Sequence, residues 1–308
     1  MTGDLAAPYQ ISGSTPLKAG ATPELLGFKA YNLARMAAIG LNVPHAFVLG
    51  TQLCATAGTV TPDLWRPALA VLERETGLTF GDPRYPLLLS VRSGAPVSMP
   101  VMMETLLNIG LTDATLPGMI RLTGHPRLAW DACRRLIAGY GEVVAGIDAG
   151  AFEADLSAVS AGEAEPELDF AALRDLAGRH LATFAREAGS AFPQDPGAQL
   201  QAAIVAVSAS WSSDKARSWR RLRNLPDAMG TAVTVQRMVF GNAGGLSGAG
   251  VGFYAQPQRR CTRTVGRFPV QRAGRGCGVG AAQRRRARGP GHSGPAGLGR
   301  TGDGDARA

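Results

Sequence analysis

The chain has 308 residues, 45% of them apolar, and a mean hydropathy of zero, the balance of a water-soluble globular protein with room for one large domain or two. No apolar run reaches the ~18 residues of a membrane span, and the opening MTGDLAAPYQ has no basic stretch leading into an apolar one, so the cytoplasm is the expected compartment. The formal charge of +8 does not point to nucleic acid: residues 258–308 carry 12 Arg against 2 Asp, and the rest of the chain is slightly acidic.

Residues 1–111 read as alternating short strands and helices. GFKAYNLARMAAIGL places Leu33, Met36 and Ala37 on one side of a helix, AFVLG reads as a strand, and YPLLLSV reads as a second strand buried on both faces. After Arg92-Ser93-Gly94 comes a small-residue loop, and from Met103 the pattern is read as helical. Residues 112–212 are predicted to be helical, with apolar stripes at Cys133, Leu136, Ile137 and Tyr140, at Phe170, Leu173, Leu176 and Leu181, and at Leu200, Ile204, Val207 and Trp211. The acidic stretch SAGEAEPELD connects two of them. In 213–257 the period becomes two, with Val233 and Val235 alternating against Thr234 and Gln236, and GNAGGLSGAG supplies a glycine-rich hairpin connection. From Gln258 onward Arg, Gly, Ala and Pro dominate without periodicity, so 258–308 is expected to be a disordered tail.

Chemistry is sparse. Cys54, Cys133, Cys261 and Cys277 lack metal-ligand spacing, and the first two lie in apolar patterns, as buried thiols do. Arg92, Ser93 and Gly94 form a plausible anion cradle, since small residues let backbone N–H groups approach a phosphate and arginine adds a two-pronged donor. Lys29, one of three lysines in the chain, stands at a predicted helix start, where the helix dipole disfavours a cation unless an anion shares the place.

Four stretches occurring in order, GFKAYNLARMAAIGLNVPHAFVL, LLLSVRSGAPVSMPVMMETLLNIGL, RLAWDACRRLIAGYGEVV and GTAVTVQRMVFGN…SGAGVGF, resemble the N-terminal nucleotide-binding domain of the pyruvate, phosphate dikinase family, relatives of phosphoenolpyruvate synthase. The resemblance spans about residues 20–257. It implies an α/β (α+β) ATP-grasp domain, incomplete here: a first lobe at 1–111, a helical insertion at 112–212, and at 213–257 a return to that lobe and the start of a second, β-rich one. It implies ATP as ligand, with Lys29 and Arg92 as the catalytic phosphate contacts, Ser93 and Gly94 beside them, and one of Arg134 and Arg135 facing the nucleotide. The strand Thr231–Met238 would border the adenine, with Gln236 as a polar contact.

Mg²⁺ is implied too, with its carboxylate ligands expected in the absent lobe. In the full-length family the partners are a central phosphohistidine domain and a pyruvate-binding barrel. None of His45, His125, His180 and His292 stands in a motif like the phosphorylated one. This chain alone is expected to bind ATP weakly and to transfer nothing. The alternatives are a nucleotide-binding regulatory module without chemistry and a basic-tailed nucleic-acid binder. The sequence departs from the family pattern at Phe28-Lys29-Ala30, usually glycine-lysine-glycine, at Val101, usually glycine, and at Glu104, usually aspartate.

The tail has a further reading. Regrouping its permitted codons to start at the second base of each turns Arg267 to Val279 into a string that includes N-A-Q-G-E-D-V-V, a segment the family carries at this distance after a residue like Phe253. The reading frame is therefore expected to shift near Pro257 or Gln258.

Overall fold

The alternation at Val233–Gln236 becomes the middle strand of a five-stranded antiparallel sheet whose two faces are covered differently. The computed structural model describes residues 7–13, 16–55, 60–99, 102–160, 168–243, 247–253 and 265–267, with 251–253 and 265–267 as backbone. In chain order the elements are β1 (Tyr9–Ile11), α1 (Pro23–Ala38), β2 (Ala46–Leu49), α2 (Pro62–Thr76), β3 (Leu89–Gly94) and β4 (Thr105–Ile109). The helices α3 (Leu116–Thr123), α4 (Pro126–Val143), α5 (Ala149–Ser160), α6 (Phe170–Ala188), α7 (Pro196–Ala209) and α8 (Asp214–Leu222) follow, and then β5 (Ala232–Arg237), β6 (Val251–Phe253) and β7 (Val265–Arg267). The sheet order is β1-β2-β5-β3-β4, so β5 returns after the whole helical stretch to sit between β2 and β3.

Local chemistry sets the helix ends. Proline occupies the first turn of α1, α2, α4 and α7, where its missing N–H costs nothing. Asp169 caps α6 by accepting from the Ala172 N–H at 2.8 Å, and Ser213 caps α8 by accepting from the Ala216 N–H at 3.2 Å. Gly77 and Gly189 end α2 and α6 in the left-handed conformation.

Residues opposite one another in the register share a face of the sheet. On one face Phe47, Leu49, Leu89, Val91, Val233 and Val235 are buried in a large core with residues from α2, α3, α4, α6 and α7. On the other, Ala46, Val48 and Ala232 pack with Tyr9, Ile11 and the small residues Ala30, Ala34 and Ala37 of α1. A third cluster joins Ala95 and Met99 to Trp211 and Ala216.

Two expectations change. The stretch from Met103 is not a helix: Thr105–Ile109 is the edge strand β4, paired to β3. Its apolar run is too short for periodicity to separate strand from helix, and the pairing decides. The same correction moves Arg92-Ser93-Gly94, which lie inside β3 rather than in a loop running to a helix N-terminus. Of the stretch 258–308 the structure describes Val265–Arg267, a strand antiparallel to Val251–Phe253. The expected disorder there, and the substitution at Val101, otherwise lie outside the described residues.

Candidate functional site

Arg92 faces Thr234 on one side and Thr105 on the other, and Ser90 faces Gln236. These four interior positions, Ser90, Arg92, Thr234 and Gln236, share the face that carries α1, so a polar stripe lies behind the face on which Leu89, Val91, Val233 and Val235 are buried. Ser90, Thr234 and Gln236 are buried and Arg92 is partly exposed.

Gly27 brings Lys29 to this stripe. It interrupts α1 with φ 75° and ψ 153°, a backbone state that glycine tolerates and other residues rarely adopt. At that kink its α-carbon lies so near β3 that a Cβ would collide with the carbonyl oxygen of Gly94. One residue on, the Phe28 N–H donates to the Ala95 carbonyl at 2.8 Å. Lys29 is thereby held in the first turn after the kink, within electrostatic reach of Arg92. The two charges sense each other: the surrounding protein first, and then the Arg92 guanidinium, hold the Lys29 amine below its ordinary value of 10.5, and burial lowers Arg92 as well. Among the described residues neither forms a salt bridge. Among the described residues Lys29 and Arg92 are thus two cations within electrostatic reach of each other, open to solvent and without a carboxylate to neutralise them, an arrangement suited to an anion.

Ser93 points to the other face and donates to the Glu104 carbonyl at 3.2 Å, which ties the two ends of the β3–β4 connection together. Gly94 faces Ala232, next to the buried Thr231. The Gln236 side chain donates to the Pro44 carbonyl at 3.1 Å. Met238 anchors its N–H on the Leu88 carbonyl at 2.9 Å and packs against the main core. Gln236 and Met238 lie two and four residues beyond the position facing Arg92, about 7 and 13 Å along the strand at the usual rise.

Arg134 and Arg135 stand in a different cluster, on α4, and Asp131 organises both. One carboxylate oxygen of Asp131 accepts from Arg134 at 2.7–2.9 Å and the other from Arg135 Nε at 3.0 Å. Arg134 is buried, while 31% of the Arg135 side chain remains exposed, so Arg135 is the one a ligand can reach. The Arg134 carbonyl meets Nδ1 of the buried His180 at 3.1 Å. Gly27 and Asp131 went unmarked in the sequence. A glycine five residues into an apolar-periodic helix was the available signal for the first. For the second it was an aspartate one turn before an Arg-Arg pair.

The described residues contain no group of three or more His, Cys, Asp or Glu able to hold a metal ion. The Lys29–Arg92 neighbourhood is cationic and does not fit Mg²⁺ by itself. Among the described residues no helix is long and apolar enough to cross a membrane.

Residues 58–266 match the family model described as pyruvate phosphate dikinase, AMP/ATP-binding domain. The chain is 41% identical over 261 residues to pyruvate, phosphate dikinase 2 of Zea mays, which covers 82% of this chain and 29% of that protein. It is 41% identical over 271 residues to pyruvate, phosphate dikinase of Giardia intestinalis, covering 83% and 30%. The match to the chloroplastic pyruvate, phosphate dikinase 1 of Arabidopsis thaliana is 40% over 260 residues, covering 81% and 27%. The chain thus spans less than a third of the length of these relatives.

Proposed function

The chain belongs to the pyruvate phosphate dikinase AMP/ATP-binding domain family, and from that premise we propose that Lys29 and Arg92 hold the phosphates of ATP at the start of a phosphoryl transfer to a histidine carrier, leading in the whole protein to phosphoenolpyruvate. The observation that carries the reading is the pair itself, two accessible cations that feel each other's charge and have no counter-ion among the described residues. Phosphoryl transfer asks a protein mainly to position phosphates and to neutralise charge that develops on the transferred group. Arg92 offers a planar fork suited to two phosphate oxygens, and Lys29 a point charge on a flexible stem. Ser93 and Gly94 keep the backbone close beneath them. The stripe through Thr234 and Gln236 leads toward Met238, where the base would lie, and Arg135 supplies a cation from the helical insertion. Bound Mg²⁺ would shield the phosphate charges from one another, with ligands contributed from outside the described residues.

The same reading makes the 308-residue chain a holder of ATP rather than a complete catalyst. The lobes take the proposed bounds 1–111, 112–212 and 213–257, and 258–308 is read out of frame. On the described lobe alone, phosphates on Lys29 and Arg92 would face water, where each charge contact is worth about 1 kcal/mol rather than several. Equilibrium dialysis with radiolabelled ATP tests the first half: saturable binding that Arg92→Ala weakens is expected, and binding indifferent to that change overturns it. Incubation with γ-labelled ATP, Mg²⁺ and a separately supplied histidine domain tests the second, where no transferred label is expected. Restoring the frame at codon 258 and appending the downstream domains should then give transfer that depends on Arg92.

A further inference from the structure

A buried arginine far from the cradle is wired to it. Arg220, 2% exposed, lies on α8 with its guanidinium 4.0 Å from the Trp211 ring centroid. Its Nη1 donates to the Trp211 carbonyl at 2.6 Å, while Nε and Nη2 donate to one carboxylate oxygen of Asp227 at 2.8 and 2.7 Å. The Trp211 indole N–H closes the ring of contacts by donating to the Asp227 carbonyl at 3.1 Å. Asp227 itself is largely exposed, so the arginine is the desolvated member and the one the fold has committed. Arginine is suited to this, because one rigid fork can stack on an indole and hold two acceptors at once.

The clamp joins the turn after α7 to the turn that launches β5, and its indole is also a floor. Trp211 and Ala216 pack with Ala95 and Met99, the residues that follow Arg92-Ser93-Gly94, and Val97, Met102, Met103 and Met229 border the same cluster. Ala95 is the pivot. Its side chain lies in this cluster, and its carbonyl takes the Phe28 N–H that presents Lys29.

We propose that Arg220 is a positioning residue for the anion site: through Trp211 it fixes the segment that follows β3, and through Ala95 it sets the spacing of Lys29 and Arg92. This rests on the nucleotide reading above. A site built from two cations on different elements gains affinity from being held in place before the ligand arrives.

The test compares the full chain with Arg220→Met, Asp227→Asn and a control, Trp65→Phe, which disturbs the distant helix α2. Asp227→Asn covers the case in which Arg220→Met does not fold, since Asp227 is mostly exposed. Amide exchange should accelerate about tenfold at Phe28 and Ser93, whose N–H groups donate to the Ala95 and Glu104 carbonyls, in the clamp variants and stay unchanged there in the control. ATP dissociation constants should rise about fivefold in the clamp variants and not in the control, a split that general loss of stability would not produce. Unchanged exchange at Phe28 and Ser93, or unchanged ATP affinity in a wild type that does bind ATP, overturns the inference alone. A wild type that binds no ATP overturns the nucleotide reading and this inference with it.

Discussion

The two faces of the one sheet differ in what they spend their alternate residues on. On the face toward α2, α4 and α7, β3 and β5 present Leu89, Val91, Val233 and Val235, all fully buried. On the face toward α1 the same two strands present Ser90, Arg92, Thr234 and Gln236. The first face supplies most of the apolar burial. The second, packed by the small side chains of α1, can admit polar groups because its helix approaches closely and is kinked beside them near its N-terminal end. In the proposed reading one strand serves stability and ligand binding at once, and substitutions at neighbouring positions should separate the two.

The largest effect is expected at the point where the faces are tied together. Gly27→Ala places a Cβ against the Gly94 carbonyl in a backbone state unfavourable to alanine, and should cost about 3 kcal/mol or more in denaturant melts while abolishing ATP binding. Next comes Leu89→Ala on the apolar face, expected to lose about 2–4 kcal/mol through the cavity it leaves, with ATP affinity unchanged below the melting range. Arg92, three residues on and facing the other side of the same strand, should behave in reverse. Arg92→Ala or Lys29→Met should weaken ATP about tenfold and leave stability within about 0.5 kcal/mol, because no salt bridge is lost and a like-charge contact is relieved.

Smaller effects follow from titration. The Lys29 amine loses its proton below the ordinary 10.5 in the free protein, so ATP affinity should decline as pH rises into the alkaline range before that value. Lys29→Arg should remove the decline. His180, buried between the Arg134 and Phe152 carbonyls, is held below its ordinary 6.5 chiefly by burial. As pH falls through 6.5 the unfolded chain takes up the proton first, so stability should drop from there down to the folded value and be fully present above 6.5. His180→Gln should flatten that slope, measured as denaturant midpoints against pH.

The fold was largely legible where the pattern was long. The stripes at Leu136–Tyr140 and Leu200–Trp211 mark helices that form as expected, and the alternation at Val233–Gln236 marks β5. Thr105–Ile109 was misread because five residues do not establish a period, and what makes them a strand is their pairing with β3. At the site, Lys29 at a predicted helix start and Arg92 before a small-residue pair stood out by position, and the family resemblance supplied their phosphate role. The kink at Gly27 depends on its close approach to Gly94 on a distant element, which no local rule carries, whereas the contacts of Asp131 to Arg134 and Arg135 are i,i+3 and i,i+4 pairs within α4 that their spacing already offered.

The account turns on whether Lys29 and Arg92 hold one anion between them. Calorimetric titration of the 308-residue chain with ATP near neutral pH, repeated for Lys29→Met, Arg92→Ala and the double variant, tests this most directly. The account predicts saturable one-site binding in the wild type, about tenfold weaker in each single variant, and a double loss that departs from the product of the two because the residues share a ligand. A double variant that binds ATP as the wild type does would contradict it.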